Sequence, residues 1–454
     1  MPAAAPADAD RNWRRFVLFR VLFNSRFYYP VLAVFFLDLG LSATEYTLLN
    51  FAWALAIVFT DVPAGVLADR IGRKPLVIAA AACMVLEMTL LGVAPRDGGL
   101  VLLLCCLANR VLSGIAEGLA SGADEALVFD SLAERCRSAD WPKVLDQVMR
   151  WQGVGMVVAM LVGGTVYDPG FMNGAAAKVG APVHFIAAET LRFPIYLNLV
   201  TALIALATVI GFREPGVRAR QVAPETGGGE GVEATAWHIA RNAATWIAKT
   251  PVALFVIVAG VLMDSVTRLF LTFSSSYFRL IHLPEASFGL VGALFGGLGI
   301  VVAPVARRMV TRFSLAGNYA ILGGVVLLGL VGVALRWNYW GVVIMLPLGF
   351  AMMSLGYMMS YYLNAIVDSG HRATVLSFKG LAINLGYGFI SLVFALALRA
   401  ARDGGSPEDA LARALAFLPL WILLGAMVCA LAFWRRRAAL GQVIGQRANS
   451  GPAT

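Results

Sequence analysis

GVLADRIGRK, residues 65–74, is the stretch from which the fold of this chain is read. An apolar block (44–68) runs into it and another (75–94) leaves it, each near the ~20 residues that a helix needs to cross a hydrocarbon layer. Between them lie four charges, Asp69, Arg70, Arg73 and Lys74. A short charged turn between two such blocks reads as a loop at a membrane surface. Its residues suit a latch. Asp69 stands at a helix end, where it can pair with Arg73 and face the N-terminus of a neighbouring helix. Gly65 would permit close helix approach, and Gly72 the tight turn.

The same alternation extends outward along the whole chain. Of 454 residues, 59% are apolar and only 14% charged, against roughly 25% charged in soluble domains. About twelve apolar spans can be drawn: 16–38, 44–68, 75–94, 100–128, 151–167, 192–212, 251–281, 287–306, 315–335, 339–367, 374–400 and 410–434. The expected fold class is therefore an all-α membrane protein. A polar stretch divides six spans from six, giving an N-terminal tail (1–15), a first bundle (16–212), a central loop (213–250), a second bundle (251–434) and a C-terminal tail (435–454). Within the central loop, 234–249 is a candidate interfacial helix without a clean apolar stripe.

The net charge of +9 belongs to topology and not to nucleic acid, because the bases gather in alternate loops. Arg11, Arg14 and Arg15 precede span one. Arg135, Arg137 and Lys143 follow span four, Arg307, Arg308 and Arg312 follow span eight, and Arg435 to Arg437 follow span twelve. The intervening loops are poorer in charge, so both termini are expected to be cytoplasmic in an inner (plasma) membrane. Five scattered cysteines and four histidines show no ligand spacing, so neither a disulfide framework nor a metal site is expected. Phosphate-binding loops and nucleophile motifs are lacking too, so no cofactor and no enzymatic activity are expected.

GVLADRIGRK resembles the loop between helices two and three of the major facilitator superfamily, with Gly65, Asp69, Gly72, Arg73 and Lys74 matching. The resemblance implies two six-helix bundles around a midplane cavity, and a cytoplasmic gate to which Asp61, near the inner end of span two, would also belong. A faint counterpart, APVARRMVTR (303–312), keeps the bases in the second half but not the Gly-x-x-x-Asp. HRATVLS (371–377) resembles the family's junction before span eleven, with Arg372 and Thr374 as end chemistry.

Polar groups inside the spans mark where such a chain works, because charge in hydrocarbon is costly. Span four reads NRVLSGIAEGLASGADEALVFD (109–130). Gly114, Gly118 and Gly122 recur every four residues and predict a close helix contact. Arg110, with Gly114 following, resembles the family's membrane arginine in proton-coupled exporters. Glu117 and Asp124 follow Arg110 at steps of seven on nearly one stripe, as for a proton relay or a substrate counter-charge. The alternative is a static Arg110–Glu117 pair with Asp124 at the wet end. In span five, GMVVAMLVGG (155–164) keeps Gly163–Gly164, but Ala159 and Met160 replace the Gly-Pro of the family's drug antiporters.

The candidate cavity residues are Arg20, Asn24, Arg26, Glu87, Asp264, Arg268, Tyr357, Tyr361, Lys379 and Asn384. Asp264 and Arg268, four apart, can neutralise each other, and Glu87 has no evident partner in sequence. The expected function is secondary active transport of a small organic solute by alternating access, as proton-coupled export of a drug-like or metabolite compound. Import of a small anionic solute is the alternative, resting on Arg20, Arg26, Arg268 and Lys379. A non-transporting sensor or assembly factor would need a soluble domain larger than 213–249 offers. The expected partners are a small-molecule solute, protons and the lipid bilayer, with a monomeric chain and no nucleic acid. The 168–191 loop is long for a turn, with a lid as its one suggested role.

Overall fold

The computed structural model describes residues 7–96, 98–133, 140–214, 244–367, 372–402 and 406–434, and all regular structure among them is helical. The first span is broken. Helix α1 (Ala7–Asn24) gives way to a 3-10 turn (Tyr29–Val31) and then α2 (Leu32–Asp38). Pro30 has no N–H to donate to the preceding turn, and the Ser25 hydroxyl takes the Val21 carbonyl (2.6 Å). Helix α3 (Ala43–Ile71) starts in a capping box: the Glu45 N–H donates to Ser42 Oγ (3.2 Å), and the Ser42 N–H donates to Glu45 Oε2 (2.7 Å). Gly72, at φ +98°, turns the chain straight into α4 (Arg73–Val93).

Span four is also two helices, α5 (Leu100–Ala120) and α6 (Ala123–Ala133), divided where Gly122 takes φ +74°. Helix α7 (Trp141–Tyr167) begins ten residues before the expected 151, with Pro142 in its first turn. The extra turns are amphipathic: Val144 and Val148 are buried in the core of the first unit, while Arg150 is exposed and bonded to Asp146 (3.0 Å). The axis then bends by 89° into α8 (Pro169–Lys178), capped where Asp168 Oδ1 accepts the Phe171 N–H (3.1 Å). The short α9 (Ala187–Thr190) leads into α10 (Phe193–Ile210). The long 168–191 loop is therefore largely structured.

Of the candidate interfacial helix, residues 244–249 are helical and the remainder lies outside the described residues. The helices that follow are α11 (Pro251–Thr272), α12 (Ser274–Leu280), α13 (Phe288–Arg312), α14 (Leu315–Ala334), α15 (Gly341–Ile366), α16 (Arg372–Ala400), α17 (Pro407–Ala416) and α18 (Leu418–Phe433). Among the described residues, ten stretches are long and apolar enough to cross a membrane, and the bent α7–α8 pair makes an eleventh. The broken, arginine-bearing first stretch, the twelfth expected from the sequence, is not among them.

The chain groups into two compact units, Met1–Thr226 with Leu283–Gly296, and Gly227–His282 with Gly297–Thr454. The segment Leu283–Gly296 thus falls with the first unit, although the sequence places it in the second bundle. The reason is local: Asp168 Oδ2 accepts the Ala286 N–H (3.1 Å), and Gly289 lies against the Met160 backbone. The first unit's core gathers Phe16, Phe19 and Phe23 of α1, Val77 and Met84 of α4, Leu127 of α6 and Val209 of α10, all buried.

Candidate functional site

The polar groups of the first unit form two sets, one at the end that carries GVLADRIGRK and one deep among the helices. Arg73 anchors the first. Its Nη1 donates to Asp130 on α6 and to the Ala126 carbonyl (2.8 Å). Its own N–H and that of Lys74 point into the Glu214 carboxylate, at 2.9 and 2.7 Å. Glu214 therefore supplies the cap that Gly72 cannot, placing a negative charge on the exposed N–H groups that open α4. Asn12 on α1 adds a two-way clamp, donating to the Arg213 carbonyl (2.9 Å) and accepting the Arg213 N–H (3.1 Å).

Arg73 reaches Asp130, and the Asp69 side chain lies outside the described residues, as do His371 and the Arg372 side chain. Gly65 has nothing within 4 Å of where a Cβ would stand, so the close approach expected there is not found. Asp61 makes no ion pair with another described residue. Glu214→Ala should lower stability by about 1–2 kcal/mol, the usual worth of an N-terminal cap, read from denaturant unfolding of the purified protein in detergent. Unchanged stability would show that the cap contributes nothing.

The deep set centres on Arg26 and Glu87, which form an ion pair with side chains 1% and 0% exposed. Arg26 also lies over the Phe23 ring, 5.2 Å from its centroid. Glu87, without a partner in sequence terms, thus acquires one from the break after α1. Asn109 of α5 donates to the Glu87 carbonyl (3.0 Å). One guanidinium nitrogen of Arg26 and one carboxylate oxygen of Glu87 still lack a partner.

Arg110, Glu117 and Asp124 have separate surroundings, and the helix break at Gly122 falls between Glu117 and Asp124. Arg110 reaches across to Asn50 of α3 (2.5 Å) and lies between Phe36 and Trp53, 5.8 and 5.6 Å from the ring centroids. Asp124 is held by Arg20 (3.2 Å), which also bonds Glu125 (2.9 Å), and Arg20 accepts the Asn24 side chain at its carbonyl (2.8 Å). Glu117 makes no hydrogen bond or ion pair with another described residue, yet it lies within electrostatic range of Arg26, Glu87 and Arg20. The static Arg110–Glu117 pair is therefore absent, and Glu117 belongs with Arg26 and Glu87.

Gly114 and Gly118 press α5 onto α3: a Cβ on Gly114 would stand 2.6 Å from the Ala56 Cβ, and one on Gly118 2.8 Å from the Thr60 Cβ. Gly122 takes no part in that seam, and serves the turn instead.

In the second unit, Arg268 grips Asp264 with two bonds (2.9 and 3.1 Å) and lies over the Tyr387 ring. Tyr387 in turn shares a hydrogen bond with Thr272 (3.1 Å). Tyr357 and Tyr361 stack at 6.4 Å, Lys379 donates to Ser360 (3.1 Å), and Asn384 is half-buried. Sequence reasoning missed Asn50, Asp130 and Glu214. Buried asparagine within a span was the available signal for Asn50; Asp130 and Glu214 carry none that separates them from ordinary loop acids. No three His, Cys, Asp or Glu side chains gather as for a metal among the described residues.

No curated protein matches the chain. Several solved structures share its fold. The nucleoside transporter NupG is 12% identical, with a TM-score of 0.72 over 94% of this chain and 98% of that one. A bacterial homologue of the human lysosomal transporter Spinster, inward-facing and unoccupied, is 15% identical, with a TM-score of 0.67 over 99% and 100%. The D-xylose-proton symporter is 15% identical, with a TM-score of 0.61 over 91% and 97%. At such identities the likeness concerns the fold. The Major Facilitator Superfamily model, however, matches residues 16–391, and the chain belongs to that family of membrane transporters.

Proposed function

We propose that this protein is a secondary active transporter that moves a small organic solute by alternating access, coupled to protons, in the direction of export from the cell. The first and second bundles (16–212 and 251–434) are the moving bodies, with both termini on the cytoplasmic side of the inner membrane. The charged set around Arg73, Asp130, Glu214 and Asp69 is the cytoplasmic gate. Its bonds tie the start of α4 to α6 and to Glu214, just past α10, so they hold the cytoplasmic end of the first bundle together as it moves. The solutes named for the structural neighbours, a nucleoside and D-xylose, agree with a small polar organic cargo.

Glu117 is the observation that carries the coupling. It is an ionisable group in the hydrophobic part of α5, it has no partner among the described residues, and it shares its surroundings with a buried arginine that is already paired. A carboxyl so placed can take up a proton without breaking a bond, and when ionised it competes with Glu87 for Arg26. Protonation thereby exchanges with a change in how α1 is held.

The importer reading is weakened by three of its four bases, since Arg20, Arg26 and Arg268 each hold a carboxylate. Lys379 keeps it in view, bonded to Ser360 and to no acid among the described residues. For a solute found by thermal stabilisation of the purified protein, proteoliposomes containing Glu117→Gln should lose transport driven by a pH gradient and keep solute counterflow. Undiminished pH-driven transport in that variant would remove Glu117 from the coupling.

A further inference from the structure

The 168–191 loop, Arg96 and the start of α10 line an open cavity of about 570 Å³ at the end of the first unit opposite GVLADRIGRK. That volume lies within the range of small-molecule sites. The cavity is built on fixed backbone. Asn173 of α8 grips Phe185 from both sides, donating to its carbonyl (2.9 Å) and accepting its N–H (2.7 Å). Phe185 then packs edge-on against Phe193 at 5.6 Å. Arg192 closes the end of α4 by donating to the Gly92 and Ala94 carbonyls, at 2.8 and 2.6 Å, and so fixes the wall next to Arg96.

The lining has a definite chemical character. Arg96 and His184 face the cavity, are exposed, and bond no other described residue. Arg192 adds a second full positive charge. The one acid in the lining, Glu189, is already engaged, accepting the Ile186 N–H (3.2 Å). Phe185, Phe193 and Tyr196 supply flat apolar walls beside these bases. A surplus of positive donors next to aromatic faces matches a ligand that has a carboxylate on a flat ring, since a guanidinium binds carboxylate through paired N–H groups and rings stack on rings.

From this we infer that the cavity is a second binding site of the protein, separate from the helix-buried set around Glu117, and that it takes aromatic carboxylates. The placement of the bases, not the direction or coupling of transport, carries the inference, so it stands or falls independently of the function proposed above.

Photolabelling of the whole protein in detergent with 4-benzoylbenzoate tests it. Trypsin releases the cavity segment as VGAPVHFIAAETLR, residues 179–192, whose mass reports the adduct. Benzoate should displace the label from this peptide, and the neutral benzamide should not. Arg96→Ala should weaken benzoate competition by about tenfold, the usual worth of one charge-assisted contact, while Glu117→Gln leaves it unchanged. Equal competition by benzamide, labelling confined to other peptides, or undiminished benzoate affinity in Arg96→Ala would each overturn the site.

Discussion

Arg26→Met should cost the protein about 3–5 kcal/mol of stability, the penalty for leaving one member of a buried ion pair alone in a low-dielectric interior. The arginine and Glu87 are both out of solvent, so neither charge can be hydrated when its partner is removed. Glu87→Leu should cost a similar amount, because it strands Arg26. The double substitution Arg26→Met with Glu87→Leu should cost less than either single one. Well-packed apolar groups of similar volume remove the desolvation penalty along with the attraction. Unfolding of the three variants in mixed detergent–denaturant micelles, read as midpoints, closes the cycle. Simple additivity of the two single losses would mean that the pair is not coupled, and that Arg26 is held by its other neighbours.

The second large effect is expected at Gly163. A Cβ there would run into the carbonyl oxygen of Phe27, and the next nearest atoms are also Phe27 backbone. Side chains can turn aside from an intruding methyl group, but this backbone is fixed by the turn that leads into Pro30. Gly163→Ala is therefore expected to destabilise by about 3 kcal/mol, at the top of the range for overpacking. Gly153→Ala, where nothing lies within 4 Å, is the matched control on the same helix and should be neutral or slightly stabilising. The ratio of folded monomer to aggregate after detergent extraction reads both variants. Gly163→Ala extracted as well as Gly153→Ala would show that α7 can shift away from Phe27 at little cost.

The fold was legible because membrane solvation acts on each span separately. A run of apolar residues near the bilayer length is a local property, as is the loop pattern around Asp69 and Arg73. What escaped was of two kinds. Breaks inside spans, at Ser25–Pro30 and at Gly122, leave composition almost unchanged, so hydropathy runs straight through them. Gly122 in particular had the spacing of a helix-contact glycine and took up the left-handed backbone instead. Pairings across helices are the other kind. Arg26 and Glu87 are distant in sequence, and no periodicity on either helix announces the other. The stripe drawn through Arg110, Glu117 and Asp124 joins residues with three different sets of neighbours, because spacing along a helix orders side chains without choosing what lies opposite them.

The break at Gly122 divides the work of span four mechanically. Helix α5 is fastened to α3 by the contacts at Gly114 and Gly118, so Arg110 and Glu117 travel with that pair. Beyond Gly122, α6 carries Asp124 and Asp130, the two acids that Arg20 and Arg73 hold. A rotation about one backbone bond of Gly122 would swing both acids together, like a rocker arm on its pin, and leave the interior charges where they are.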